Sequence, residues 1–203
     1  MRAIQVQVPG GPQALIEVEL PEPQPGRGQV RVRAEAIGVG RPDVLIRQGT
    51  YKWMPPLPAI PGAELAGIVD AIGNDVNEWQ IGDRVLVSAR ELSQRGGCYA
   101  QAIVVAANAP YRLPTNISFV DAMSLPNLQL ALALMRVSGL NTSDAHENKQ
   151  AVLITGASGG VATMLSLLCR HLGFVTIGTS RSQAKADFAR AHGFVQVLEK
   201  WSR

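Results

Sequence analysis

The chain has 203 residues, 46% of them hydrophobic, with a formal net charge of +3. That is enough apolar material to fill the core of one large domain or two small ones. The basic residues are scattered rather than run together, which argues against nucleic acid or an acidic membrane surface as partner, and no stretch reaches the length of a membrane-spanning helix.

In chain order, the first half reads as β-rich. Met1 to Gln5 alternates like a strand and lacks the apolar core of a signal peptide. Ile4, Val6 and Val8 alternate with polar partners, as do Ile16, Val18 and Leu20 beyond the Gly10-Gly11-Pro12 turn. Gln29 to Ala36 alternates most cleanly, predicting Val30, Val32, Ala34 and Ala36 inside and Gln29, Arg31, Arg33 and Glu35 outside. Pro42 opens a short helix through Arg47, stopped by Gly49. Tyr51 to Pro61 is a proline-rich loop carrying Trp53 and Met54. Further strands are expected at 65–72, 84–88 and 99–105. Many short strands with turn signals between them suggest a small barrel or sandwich.

After Pro114 the period changes. Ser118, with Asp121 three residues on, is a capping pair opening a helix to Leu125. Asn127 to Val137 is a second, very apolar helix, and the polar segment 141–150 follows it. The expected division is 1–120 and 121–203, with the boundary near 115–125.

Ala151 to Ile154 then reads as a buried parallel strand, because nothing polar alternates with its apolar side chains. It runs into Gly156-Ala157-Ser158-Gly159-Gly160-Val161-Ala162 and a helix with Leu165, Leu168, Cys169 and Leu172 on one face, ended by Gly173. Strand, glycine turn and helix together aim free backbone N–H groups and the positive end of a helix dipole at a phosphate. No Lys-Ser/Thr pair follows the glycines, so the turn is not a P-loop. The spacing Gly156-x-x-Gly159-x-x-Ala162 suits a pyrophosphate, with Gly156, Ala157, Gly159, Gly160 and Val161 as the contacting segment.

A second apolar strand, Phe174 to Thr179, ends in Ser180-Arg181-Ser182. A carboxylate at that tip would accept from the ribose 2′-OH of NAD, whereas an arginine tolerates a 2′-phosphate. Ser180, Arg181 and Lys185 stand there instead of an acid, which selects NADPH over NADH. Ser182 also serves as N-cap for a helix from Gln183 to His192 closed by Gly193. Phe194 to Leu198 supplies a third strand. Cys98 and Cys169 are too far apart in sequence for a CxxC metal pair and fit a reducing, cytoplasmic compartment.

With these motifs in place, the sequence resembles the zinc-free quinone oxidoreductases of the medium-chain dehydrogenase/reductase superfamily. The most specific stretches are Asp43 to Tyr51, Pro61 to Val69 with Gly73, Ile81 to Val85, Gly97 to Ala100 and Gly156 to Val161. The resemblance implies a GroES-like β-barrel followed by a Rossmann domain, NADPH as cofactor, and hydride transfer to a quinone or an α,β-unsaturated carbonyl. It implies a homodimer where the sheet is completed. Tyr51, in the family's Gly-x-Tyr position, is the candidate catalytic donor to the substrate oxygen, and Lys185 matches a lysine that meets the 2′-phosphate. Asp43 and Arg47 match family positions, and their spacing of one helical turn suggests a structural ion pair.

Zinc-dependent relatives place a cysteine where this chain has Gly40 and a histidine where it has Ala63. A catalytic zinc needs three protein ligands, and Glu64 alone cannot hold it, so no metal is expected. The family's asparagine beside the nicotinamide is also replaced by Gly40, and a threonine near the carboxamide by Ala131. Segment 144–150 looks like a small insertion. The Rossmann sheet of about six strands is present only in its first half. That keeps open a second reading, a truncated and catalytically inactive nucleotide-binding or oligomerising remnant. The opening Thr155-Gly156-Ala157-Ser158-Gly159-Gly160 also resembles short-chain dehydrogenases, but none of Tyr51, Tyr99 or Tyr111 has a lysine four residues later.

Overall fold

The computed structural model describes residues 1–140 and 150–199; the insertion expected at 144–150 lies, apart from Gln150, outside them. The chain divides into two compact units, Met1–Met123 and Ser124–Arg203.

The first unit is built on an antiparallel sheet. Its strands are β3 (Gln29–Ile37), β4 (Glu64–Ile72), β5 (Arg84–Ser88), β6 (Ala102–Ala106) and β7 (Tyr111–Arg112), in the order β6-β3-β4-β5-β7. A hairpin of β1 (Arg2–Val6) and β2 (Leu15–Glu19) stands apart and bridges to neighbouring loops at Ala3–Ala100 and Val6–Ala59. Among the described residues β6 and β7 do not pair, so the hydrogen-bonded ladder is open rather than a closed barrel. Val30, Val32, Leu65, Val69, Val85, Val87 and Val105 form the core with Trp79, whose indole N–H donates to the Ala107 carbonyl at 2.6 Å.

Period-two reasoning fails at three points in this unit, the first being Val8, which lies beyond the end of β1 and is 74% exposed. Arg31 is expected outside but is 8% exposed, because Asp70 on the neighbouring strand β4 accepts from its guanidinium at 2.8 Å and 3.3 Å. Ile16 is expected inside but is exposed, since β2 pairs only with β1. The strand expected from Tyr99 begins at Ala102.

Helix α1 (Arg41–Gln48) carries proline in its first turn and ends at Gly49. Ser118 caps α2 (Phe119–Ala122), its hydroxyl accepting from the Asp121 N–H at 3.0 Å, but this helix stops three residues short of the expected end. Leu125 belongs to the next one.

The second unit contains α3 (Leu125–Val137), β8 (Ala151–Ile154), α4 (Gly160–His171), β9 (Val175–Ser180), α5 (Gln183–Ala191) and β10 (Gln196–Glu199). The strands are parallel, in the order β10-β9-β8. β8 therefore lies at an edge, and Leu153 is 56% exposed. This corrects the expectation of a buried strand: its apolar run matches a central position, yet no strand flanks it on the far side among the described residues. Ile154, Ala157, Ala162, Ala186, Ala189, Phe194 and Val197 make one core cluster, and Met135, Cys169 and Phe174 another where α3 packs on α4.

Candidate functional site

The glycine turn in the second unit is shaped by two different glycine requirements. Gly156 adopts φ +66°, a left-handed conformation costly for any residue with a Cβ. Gly178, in the middle of β9, is a matter of space. A Cβ there would come within 2.5 Å of the Ala157 Cβ and 2.8 Å of the Phe194 ring. Ala157 is fully buried, so its side chain packs the turn onto β9.

The amides of this turn are not all free, contrary to expectation. The Gly156 N–H donates to the Thr179 hydroxyl at 3.2 Å and the Ala157 N–H to the Thr179 carbonyl at 3.0 Å. The Gly159 N–H closes onto the Gly156 carbonyl at 2.9 Å. These bonds fix the turn where β8 meets α4, and they consume donors that the sequence offers to a ligand. What remains is the helix start. Gly159 is the N-cap and provides no side-chain cap, and the N–H groups of Gly160, Val161 and Ala162 meet no acceptor among the described residues. A first turn of uncapped amides carries the partial positive charge of the helix. Asn127, on α3, stands beside it, because a Cβ on Gly160 would lie 2.9 Å from the Asn127 amide nitrogen. Sequence reasoning passed over Asn127; the signal was a polar side chain in the first turn of a very apolar helix.

At the tip of β9, the Ser180 hydroxyl donates to the Ser182 carbonyl at 3.1 Å and accepts from the Ser182 N–H at 3.4 Å. Ser182 makes no side-chain cap on α5, because the chain there is held by Ser180 instead. Arg181 and Lys185 are exposed and enter no ion pair among the described residues. The acids nearby are occupied: Arg190 holds Asp187 at 2.8 Å and Glu199 at 2.6 Å, and Gln183 donates to Asp187 at 2.9 Å. Two exposed cations without an ion pair among the described residues, beside a Glu199 that is level with Ser180 but held by Arg190, suit a 2′-phosphate.

In the first unit Tyr51 lines a recess whose other groups the sequence reading did not bring together. The recess is lined by Tyr51, Glu64, Arg90 and Arg95 with apolar neighbours. Tyr51 meets Trp53 edge-on, with ring centroids 5.7 Å apart. Behind the recess Asp43 is buried. It accepts from the Gly40 N–H at 2.8 Å, the Gly62 N–H at 3.1 Å and the Tyr99 hydroxyl at 3.2 Å. The expected Asp43–Arg47 ion pair does not form, because Asp43 instead ties the start of α1 to the loop ahead of β4. Arg47 is left with a buried Nε that has no partner among the described residues. Burial pushes the Asp43 carboxyl above the ordinary range, while its backbone and tyrosine donors pull it back. Burial also raises Tyr99, with Asp43 adding to the effect, and raises the Cys98 thiol, which is thereby inert.

Glu64 is raised first by burial and then by Asp43, against a smaller opposing pull from Arg90. A carboxyl whose folded-state pKa exceeds its unfolded value binds more protons when folded, so stability falls as pH rises from the unfolded pKa through the folded one. Glu64→Gln is therefore expected to melt above the parent at pH 8, with the difference shrinking as pH falls towards 4. Parallel melting curves of the two proteins across pH check this; a constant difference would contradict it. Among the described residues no three His, Cys, Asp or Glu side chains are grouped to hold a metal ion.

Residues 26–115 match the alcohol dehydrogenase GroES-like domain family. The chain is 33% identical over 201 residues to quinone oxidoreductase of Rattus norvegicus, covering 98% of this chain and 58% of that one. Its structure superposes on quinone oxidoreductase of Escherichia coli, solved in complex with NADPH, with a TM-score of 0.84 at 30% identity, over 98% of this chain and 58% of the other. A human synaptic vesicle membrane protein VAT-1 homolog-like protein gives a TM-score of 0.86 at 27% identity, over 98% and 61%. The chain thus spans about three-fifths of the length of the relatives it matches.

Proposed function

We propose that this chain, which is similar along nearly its whole length to quinone oxidoreductases, shares the chemistry of the medium-chain dehydrogenase/reductase superfamily: it binds NADPH and reduces a quinone or an α,β-unsaturated carbonyl without zinc. The observation that carries the reading is the β9 tip, where Arg181 and Lys185 are exposed and enter no ion pair among the described residues, while Glu199 beside Ser180 is held by Arg190. Gly160 and Val161 present amides to the pyrophosphate, Gly156, Ala157 and Gly159 hold the turn that positions them, and Ser180 fixes the bend from which Arg181 reaches out. NADPH, when bound, supplies a hydride. Tyr51 donates a hydrogen bond to the acceptor oxygen, stabilising the negative charge that develops there. The acceptor is a small molecule, the compartment cytoplasmic, and the assembly a homodimer with the sheet extended beyond β8. Among the described residues no helix is long and apolar enough to cross a membrane.

Substituting Arg181 or Lys185 by alanine is expected to weaken NADPH by roughly 1–3 kcal/mol each and to leave NADH unchanged, as loss of one charge-assisted bond to a phosphate requires. Calorimetric titration of both variants with both nucleotides checks this, and an equal loss for NADH would refute the assignment. The reductase activity is tested by NADPH consumption with a naphthoquinone and with an enone, and Tyr51→Phe should slow it about 10²-fold.

A second reading, a non-catalytic nucleotide-binding or oligomerising protein, is favoured by two positions. Gly40 offers no side chain, its N–H being spent on Asp43, and Ala131 presents only a fully buried methyl group. NADPH binding with no consumption of either acceptor would establish that reading in place of the first.

A further inference from the structure

Three cations surround the Tyr51 recess, and none of them enters an ion pair among the described residues. Arg90 and Arg95 line it. The Arg95 guanidinium lies 5.6 Å from the centre of the Trp53 ring, and the Lys52 ammonium lies 5.2 Å from it. Trp53 is 54% exposed, so its ring is accessible from solvent. Arginine side chains elsewhere in this unit are mostly neutralised: Arg27 by Asp75, Arg31 and Arg33 by Asp70, Arg112 by Asp83. The recess is thus a place where several cations without an ion pair gather beside aromatic surface, whereas Arg84 over Phe119 is a single such cation.

The recess has a volume of about 30 Å³. That is room for a water or two, or for one small charged group, and not for a ring. A ligand that fits must therefore place a compact polar group inside and leave any ring on the rim, where Tyr51 and Trp53 stand. Cations over aromatic faces stay close to such a rim without forming a competing salt bridge.

We infer that this recess is a subsite for the anionic group of a planar acceptor, with Arg90 and Arg95 holding the carboxylate or sulfonate and Trp53 meeting the ring. The assignment deepens the reductase reading, on which it rests for its meaning: the substrates preferred are acidic quinones or enones rather than neutral ones. Glu64 is the opposing group on the same wall. Its carboxyl has no hydrogen-bond partner among the described residues, and burial together with Asp43 disfavours its charged form, while Arg90 favours it. Asp43, Tyr99 and Cys98 are the other titratable groups coupled to it. Glu64 therefore limits the affinity for an anion rather than creating it.

The test uses inert probes and no nucleotide. Naphthalene-2-sulfonate and 2-naphthalenemethanol share a ring and differ in charge; each is titrated calorimetrically into the full chain at low salt. The sulfonate is expected to bind at least about tenfold more tightly, as a charge-assisted contact requires, and raising the salt should narrow the gap. The double variant Arg90→Gln with Arg95→Gln should bring the sulfonate down to the affinity of the alcohol, while Arg95→Lys keeps most of the preference. Glu64→Gln should tighten the sulfonate alone, and Trp53→Ala should weaken both probes alike. Equal affinity for the two probes in the parent, or a preference that survives in the double variant, would overturn the assignment. Because no NADPH is present, either result stands apart from whether the chain turns over a quinone.

Discussion

Replacing Gly178 by valine is expected to abolish NADPH binding and to destabilise the second unit by roughly 3 kcal/mol or more, the upper end of what overpacking a closed core costs. The added side chain must enter where the Ala157 methyl and the Phe194 ring already meet the backbone of β9. Neither neighbour can retreat cheaply. Ala157 belongs to the turn that Thr179 anchors through two hydrogen bonds, and Phe194 is buried in the cluster that seats α5. Pushing Ala157 outward would swing the start of α4 and with it the amides of Gly160 and Val161. Thermal unfolding combined with NADPH titration reads both effects. Gly178→Ala should show the same pattern in milder form, and a valine variant that melts and binds like the parent would contradict the packing described for the turn.

The second large effect is expected at Asp70. Its carboxylate is 14% exposed and holds Arg31 at 2.8 Å and Arg33 at 2.5 Å, and Arg31 also donates to the Pro23 carbonyl at 3.2 Å. Asp70→Ala would leave the buried guanidinium of Arg31 with only that carbonyl and the more distant Glu22, at 3.6 Å. Stranding one partner of a buried pair costs about 3–5 kcal/mol, and the remaining solvent contact here places the expected loss near 3 kcal/mol. Removing both charges is a different matter. Arg31→Met with Asp70→Leu should recover most of the stability, since a well-packed apolar pair needs no desolvation of charge. Denaturant unfolding of the single and double variants separates the cases. A double variant no more stable than Asp70→Ala would show that the pair does more than neutralise itself.

The sequence makes the local rules of this protein visible and hides the partners that override them. The alternation of Gln29 to Ala36 marks β3 correctly, yet it places Arg31 outside, because the acid that draws it in lies 39 residues away on β4. Asp43 and Arg47 have helical spacing, but the groups that claim Asp43 are the amides of Gly40 and Gly62 and the hydroxyl of Tyr99, brought together only by the chain's return. The apolar run of β8 identifies a strand and cannot say which strands flank it. The glycine turn is legible because its requirements are local: a left-handed Gly156, a tight turn and an uncapped helix start. Its two bonds to Thr179 are not, since they depend on the pairing of β8 with β9. The recess at Tyr51 is not legible in the sequence. Tyr51 announces itself through the family pattern, whereas Arg90, Arg95 and Glu64 are separated in sequence and meet only in the fold.

The most direct measurement is a calorimetric titration of the chain with NADPH and, separately, with NADH under the same salt conditions. Arg181 and Lys185, exposed and in no ion pair among the described residues, predict that NADPH binds at least about tenfold more tightly, the worth of one charge-assisted contact to a phosphate. Equal affinity for the two nucleotides, or tighter binding of NADH, would contradict the account at its centre.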